Sequence, residues 1–182
     1  MAKAKDKNAP QNTASKSTTN GNGAAKAQRS DLFDVTGFDK ETLLSWYTTQ
    51  HLGRRLDEKA ANYLKMAKGW SYHAPFAGHD GIQLALGKVF RPGKDFLFGY
   101  YRDMLTSLAA GLTVEEIIAN GLSKDADVAG GGRHMSNHFA KISIGLQNGS
   151  SCTGNHAQQA AGTARSIKKF NGDEVVYCST GD

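Results

Sequence analysis

Three short stretches of this 182-residue chain carry residue types that could bind an anionic ligand or a metal ion. The first is Tyr101-Arg102. An arginine just after a strand and near a helix start can join backbone amides in gripping a phosphate, or it can form an ordinary surface ion pair with Asp103 or Glu116. The second is the run Gly131-Gly132-Arg133-His134-Met135-Ser136-Asn137-His138-Phe139. Two histidines and an arginine beside flexible backbone fit an anionic ligand or proton transfer, with His138 as the catalytic candidate; a solvent-facing polar loop explains them equally well. The third is Gly181-Asp182, at the turn where a ligand is expected in an open α/β sheet. A carboxylate there suits a hard divalent cation, and a helix cap or solvated turn is the alternative.

Other chemistry-bearing residues carry weaker signals. The i, i+4 spacing of His134 and His138 would allow zinc on a helix, but the glycines upstream oppose a helix and no third ligand is evident. Gly78-His79-Asp80-Gly81 and His73 read as a loop turn and a helix start. Cys152, in Ser150-Ser151-Cys152-Thr153-Gly154, does not have the spacing of a Gly-x-Ser-x-Gly nucleophile and reads as a small buried residue. With only two cysteines, Cys152 and Cys178, a disulfide framework is not expected, and a reducing cytoplasm suits the chain.

These residues need elements to position them. Asp39 can cap a helix whose apolar positions run from Leu43 to Leu64, with Gly69 as its stop. His79 to Val89 reads as a second helix with Ile82, Leu86 and Val89 on one side, and Pro92-Gly93 then turns the chain. Asp95-Phe96-Leu97-Phe98 is a short strand candidate. Helical character resumes from Tyr101 to Ala110 and closes at Gly111. Thr113 and Glu116 have capping-box spacing, which predicts a helix over 114–121. Residues 123–137 form a long glycine-dense loop of the kind that is more often functional than filler. Ile142 to Leu146 is a possible strand and Asn155 to Phe170 a small-residue helix. Glu174 to Thr180 is the strongest strand signal in the chain.

Alternating helices and short apolar strands indicate an α/β layer architecture with a largely parallel sheet flanked by helices. Because a parallel strand needs neighbours and a crossover to cover it, a chain ending just after its best strand reads as a fragment. The formal charge of +5 sits in the first 30 residues, which hold six basic side chains against one acidic. The rest is neutral, which argues against a nucleic-acid protein. Residues 1–37 lack large apolar side chains after Met1 up to Leu32 and read as a disordered basic low-complexity tail. The ordered domain is expected over 38–182. No run approaches a membrane span.

In this order, the segments over residues 38–182 resemble the alpha subunit of thiamine-diphosphate-dependent 2-oxo acid dehydrogenase first components. Arg54-Arg55-Leu56-Asp57-Glu58-Lys59 is similar to that family's first-helix signature, and Gly78-His79-Asp80-Gly81 occupies the place of its Gly-Gln-Glu-Ala turn. Phe98-Gly99-Tyr100-Tyr101-Arg102-Asp103 is similar to its Tyr-Arg pair. The resemblance implies that Tyr101 and Arg102 contact the cofactor diphosphate. Gly181-Asp182 resembles the opening of the Gly-Asp-Gly motif, which implies that both contact the cofactor and that Asp182 binds Mg2+. Ser150 to His156 falls where the branched-chain members have Ser-Ser-Pro-Leu-Ala-Thr-Gln, which implies cofactor contacts from Ser151 and the Thr153 backbone. The family's monovalent-cation site is not carried over, because Cys152, Asn155 and His156 depart from that pattern. Gly132-Arg133-x-Met135-x-x-His138-Phe139 is similar to the branched-chain form more than to the pyruvate form.

The resemblance therefore implies oxidative decarboxylation of a branched-chain 2-oxo acid, with the acyl group passing to a lipoyl arm on an acyltransferase. It also implies a beta subunit or fused beta domain in an α2β2 assembly, which supplies the glutamate that activates the coenzyme. Pyruvate as substrate is the alternative, and a binding or assembly module without turnover is another. The isolated 182 residues are expected to show no decarboxylation.

Overall fold

The structure is a computed structural model that describes residues 36–181. The chain divides into Met1–Gly37 and Phe38–Asp182. The basic tail, apart from Thr36 and Gly37, lies outside the described residues, as does Asp182.

Helix α1 (Lys40–Lys65) starts where expected, with the Asp39 side chain accepting from Thr42 N at 2.8 Å. It buries Gly53, Leu56, Asp57 and Ala60, the stripe that helical periodicity presents to a core. It ends at Met66, three residues before the expected stop, as Ala67 and then Gly69 take positive φ. Helix α2 (Asp80–Val89) turns a different face inward from the one expected. Asp80, Gln83 and Gly87 are buried, whereas Ile82 is 70% and Val89 61% exposed. The rotation follows from tertiary bonds: Arg54 pairs with the Asp80 carboxylate, and the Gln83 amide donates to Arg102 O and accepts from Leu105 N.

Strand β1 (Phe96–Phe98) pairs in parallel with β2 (Val176–Cys178), Leu97 opposite Tyr177. The strand expected at 142–146 is instead a 3-10 turn over Ile142–Ile144, closed by Gly145 at φ +84°. Only Leu146 bridges β1, where Leu97 N donates to Gly145 O and Gln147 N to Leu97 O. The apolar run there loses strand form because Ile144 packs against the core while Ile142 stays 71% exposed. Among the described residues the sheet thus has two strands, and β2 is half-exposed rather than covered on both faces.

Asp95 fastens the start of the strand pair. Its side chain accepts from Val175 N at 2.9 Å and from the Arg91 guanidinium at 2.6 Å. Helix α3 (Met104–Ala109) begins three residues later than expected and leaves Tyr101 and Arg102 in a turn. Helix α4 (Val114–Gly121) carries the capping box in full, both bonds between Thr113 and Glu116 being present. Helix α5 (Asn155–Lys169) crosses back to β2. The core joins Leu56, Phe76, Leu97, Met104, Leu105, Ile117 and Leu146 around the buried Trp70. Trp70 lies against Gly121, where a Cβ would fall inside its ring contact distance.

Candidate functional site

Both parallel strands end at one place, and the chain leaving them builds a polar centre. After β1 the turn Gly99–Asp103 presents Tyr100, Tyr101 and Arg102; after β2 come Ser179, Thr180 and Gly181. A cavity of about 440 Å³ opens between them, lined by His79, Gln83, Tyr100, Arg102, Asp103 and Gly181, with Thr180. A Cβ on Gly181 would collide with the Tyr100 ring, so only glycine leaves this approach open.

Arg102 and Gly181, two of the residues singled out from sequence, therefore share one cavity. The guanidinium of Arg102 lies 5.8 Å from the Tyr100 ring centre, a cation–π distance. Neither expected surface partner accounts for it: Glu116 pairs with Lys141 at 2.7 Å, and Asp103 is buried and turned toward Ser179 and Tyr100 N.

The second cluster surrounds Tyr101. Its ring stacks on His138 at 5.9 Å between centres and meets Tyr72 edge-on at 5.5 Å. The Tyr100 hydroxyl donates to the Tyr101 hydroxyl, and this bond, with further ones from Tyr72 and Thr153, holds the Tyr101 phenol below its ordinary pKa. Burial pushes that of Tyr100 up. Ser151 Oγ lies 2.8 Å from His138 Nε2, and His138 Nδ1 lies 3.2 Å from Ser136 O. Since a carbonyl can only accept, Nδ1 carries a proton, and in the neutral ring Nε2 is left to accept from Ser151. Thus Tyr101, His138, Ser151 and Thr153 form a second cluster, joined through Tyr100 to the cavity that Arg102 and Gly181 share.

The glycine-dense loop is organised by Asp127, 4% exposed, whose carboxylate accepts from Ala129 N, Gly130 N and Gly132 N at 3.0–3.3 Å. His134 and His138 do not share a helical face: His134 reaches Asn148, whereas His138 is buried against Tyr101. Among the described residues no three His, Cys, Asp or Glu side chains cluster for a metal. Cys152 is exposed, not the small buried residue expected, because the turn before α5 carries it to the surface.

Sequence reasoning missed Gln83, Asp103, Ser179 and Tyr72. Asp103 and Ser179 fell inside an expected helix and an expected strand, whereas the observed helix starts after Asp103 and the observed strand ends before Ser179. Gln83 had a faint signal, sharing the 80, 83, 87 face with buried Asp80. Tyr72 had none, since only folding brings residue 72 to residue 101.

Two relatives frame the site. The chain is 27% identical over 150 residues to the 2-oxoisovalerate dehydrogenase subunit alpha of Bacillus subtilis (strain 168), covering 80% of this chain and 44% of that protein. It is 35% identical over 78 residues to the pyruvate dehydrogenase E1 component subunit alpha of Acholeplasma laidlawii, covering 43% of this chain and 22% of that one. The chain thus spans less than half the length of these curated relatives. Residues 47–182, which include every residue of both clusters, match the family described as Dehydrogenase E1 component, and the chain belongs to that family.

Proposed function

We propose that this chain is the part of an alpha subunit that anchors thiamine diphosphate and Mg2+ in an enzyme that oxidatively decarboxylates a branched-chain 2-oxo acid and delivers the acyl group to a lipoyl arm. The observation that carries the reading is the shared cavity of Arg102 and Gly181 at the carboxyl ends of both parallel strands.

The donors there fit a diphosphate. Arg102 offers a fixed positive charge, and Tyr101, Ser151 and the Thr153 backbone are the further proposed contacts, from the neighbouring cluster. Burial raises the Asp103 pKa, and its Oδ2 already accepts from Ser179 and from Tyr100 N. Asp182, directly after Gly181 in sequence, is the proposed Mg2+ ligand. When bound, thiamine diphosphate supplies the carbon nucleophile and electron sink that decarboxylation requires. His138 holds its proton at Nδ1 and keeps Nε2 as a base toward Ser151, which makes it the proposed group for proton movement. The aromatic wall of buried Tyr100 and Phe139 and half-buried Tyr101 is the proposed screen that keeps water from the reacting carbon.

Branched-chain specificity is favoured by the longer stretch shared with the 2-oxoisovalerate relative, and pyruvate by the higher identity of the shorter one. The proposed partners are a beta subunit or fused beta domain in an α2β2 assembly, and a lipoyl-bearing acyltransferase. Within the chain, residues 38–182 form the leading part of the coenzyme-binding domain, with 1–37 as a basic tail. Among the described residues no helix is long and apolar enough to cross a membrane, and two free cysteines support a cytoplasmic setting. Calorimetric titration of the full-length protein with thiamine diphosphate and Mg2+ tests the reading. Arg102→Ala is expected to weaken affinity by about 1.5–3 kcal/mol, as for a charged hydrogen bond; unchanged affinity would rule out the diphosphate assignment.

A further inference from the structure

The residue that fixes the chain leaving β2 is Ser179, and each of its polar groups is committed to a different element. Its N–H donates to Phe98 O at the end of β1, at 3.2 Å. Its hydroxyl donates to the buried Asp103 carboxylate in the turn before α3. Its carbonyl lies 2.6 Å from His156 Nε2, at the start of α5. A carbonyl only accepts, so Nε2 carries the proton and His156 donates. Tyr100 N is shared between Asp103 at 2.9 Å and Ser179 Oγ at 3.1 Å, which ties the same knot to the turn bearing Tyr101 and Arg102.

His156 is wholly buried, and its Nδ1 has no hydrogen-bond partner among the described residues. An unpaired buried nitrogen is unfavourable, so packing alone would be better served by an apolar side chain. What the imidazole gives in return is its bond to Ser179 O. Two residues beyond that carbonyl, Gly181 lines the cavity opposite Arg102.

We infer that His156, acting with Asp103 through Ser179, is a positioning residue that sets where Gly181 stands relative to Tyr101 and Arg102. It touches no ligand itself. It fixes the carbonyl from which the chain turns toward the cavity, and Asp103 fixes the hydroxyl of the same residue to the opposite wall. The spacing between the two ligand-gripping segments is thereby set from α5 as well as by strand pairing. This rests on the coenzyme reading above.

The test measures thiamine diphosphate affinity in Mg2+ by calorimetry on the full-length protein, well below each variant's melting temperature. His156→Leu, which fills the space without a donor, is expected to raise Kd about tenfold, the loss of one well-placed hydrogen bond. His156→Gln, whose amide can donate to the same carbonyl, is expected to stay within about threefold of wild type. A merely structural role would not be rescued in this way. Wild-type affinity in folded His156→Leu, or a Gln variant as weak as the Leu variant, overturns the inference. If His156→Leu does not fold, Ser179→Ala decides, because it keeps the carbonyl and removes the hydroxyl's bonds to Asp103 and to Tyr100 N. It is expected to weaken binding several-fold, and unchanged affinity overturns the inference. Arg102→Ala serves as the control: if it binds like wild type, the coenzyme reading itself has failed, whatever His156 does.

Discussion

Asp95→Asn is the sharpest test of how the strand pair is held. The Asp95 side chain is inaccessible to solvent and accepts from the Arg91 guanidinium, from Arg91 N at 3.0 Å and from Val175 N at 2.9 Å. Arg91, first among the causes, holds the Asp95 pKa at about 2 against an ordinary 3.8. At about 1.36 kcal/mol per pH unit, that depression is equivalent to roughly 2 kcal/mol. Arg91 is itself 43% exposed, so solvent screening reduces the expected value to about 1–2 kcal/mol. The sign follows from the depressed folded value: the stabilisation is fully present above pH 4 and is lost as pH falls through about 2. Asparagine keeps the shape and an acceptor for Val175 N but not the charge. Urea unfolding followed by circular dichroism is expected to show the variant less stable by about 1–2 kcal/mol at pH 7, with the gap closing between pH 4 and pH 2. A gap that stays constant with pH, or no gap at pH 7, would refute the electrostatic account of the staple.

Three further substitutions probe the packing and bonding around the site. Gly121→Ala places a methyl within the Trp70 ring contact and is expected to cost about 1–3 kcal/mol. Gly162→Ala, in α5 with open space at its Cβ, is expected to stabilise by about 0.5–1 kcal/mol, and equal urea midpoints for the two variants would contradict the packing assignment. Gln83→Leu removes the donor to Arg102 O and the acceptor for Leu105 N; a loss of about 1–3 kcal/mol is expected. Unchanged stability would mean that the α2 brace on the Tyr101-Arg102 turn carries no weight.

Much of the local structure was legible in residue order because local rules govern it. Asp39 and the Thr113/Glu116 box place helix starts through bonds spanning three residues, and both are present as expected. The Tyr101-Arg102 pair and Gly181 were found from their places after strands, and the cavity they share was not. Errors arose where distant contacts overrode periodicity. Ile82 and Val89 read as the inner face of α2, but Arg54 and the turn before α3 hold Asp80 and Gln83 inward. The Ile142 to Leu146 run reads as strand by composition, yet only Leu146 finds a partner on β1.

By itself, then, the sequence determined the caps, the helix lengths to within a few residues, the pairing-competent strands and the motifs that point to the family. These depend on interactions reaching three or four positions along the chain. Only the tertiary structure decided that Tyr72, Tyr101, His138 and Ser151 meet, that Arg102 faces Gly181, and that His156 grips Ser179 across 23 residues. Those contacts form because parallel strand pairing brings two carboxyl ends together, and a linear pattern records which residues can pair but not what the pairing carries alongside.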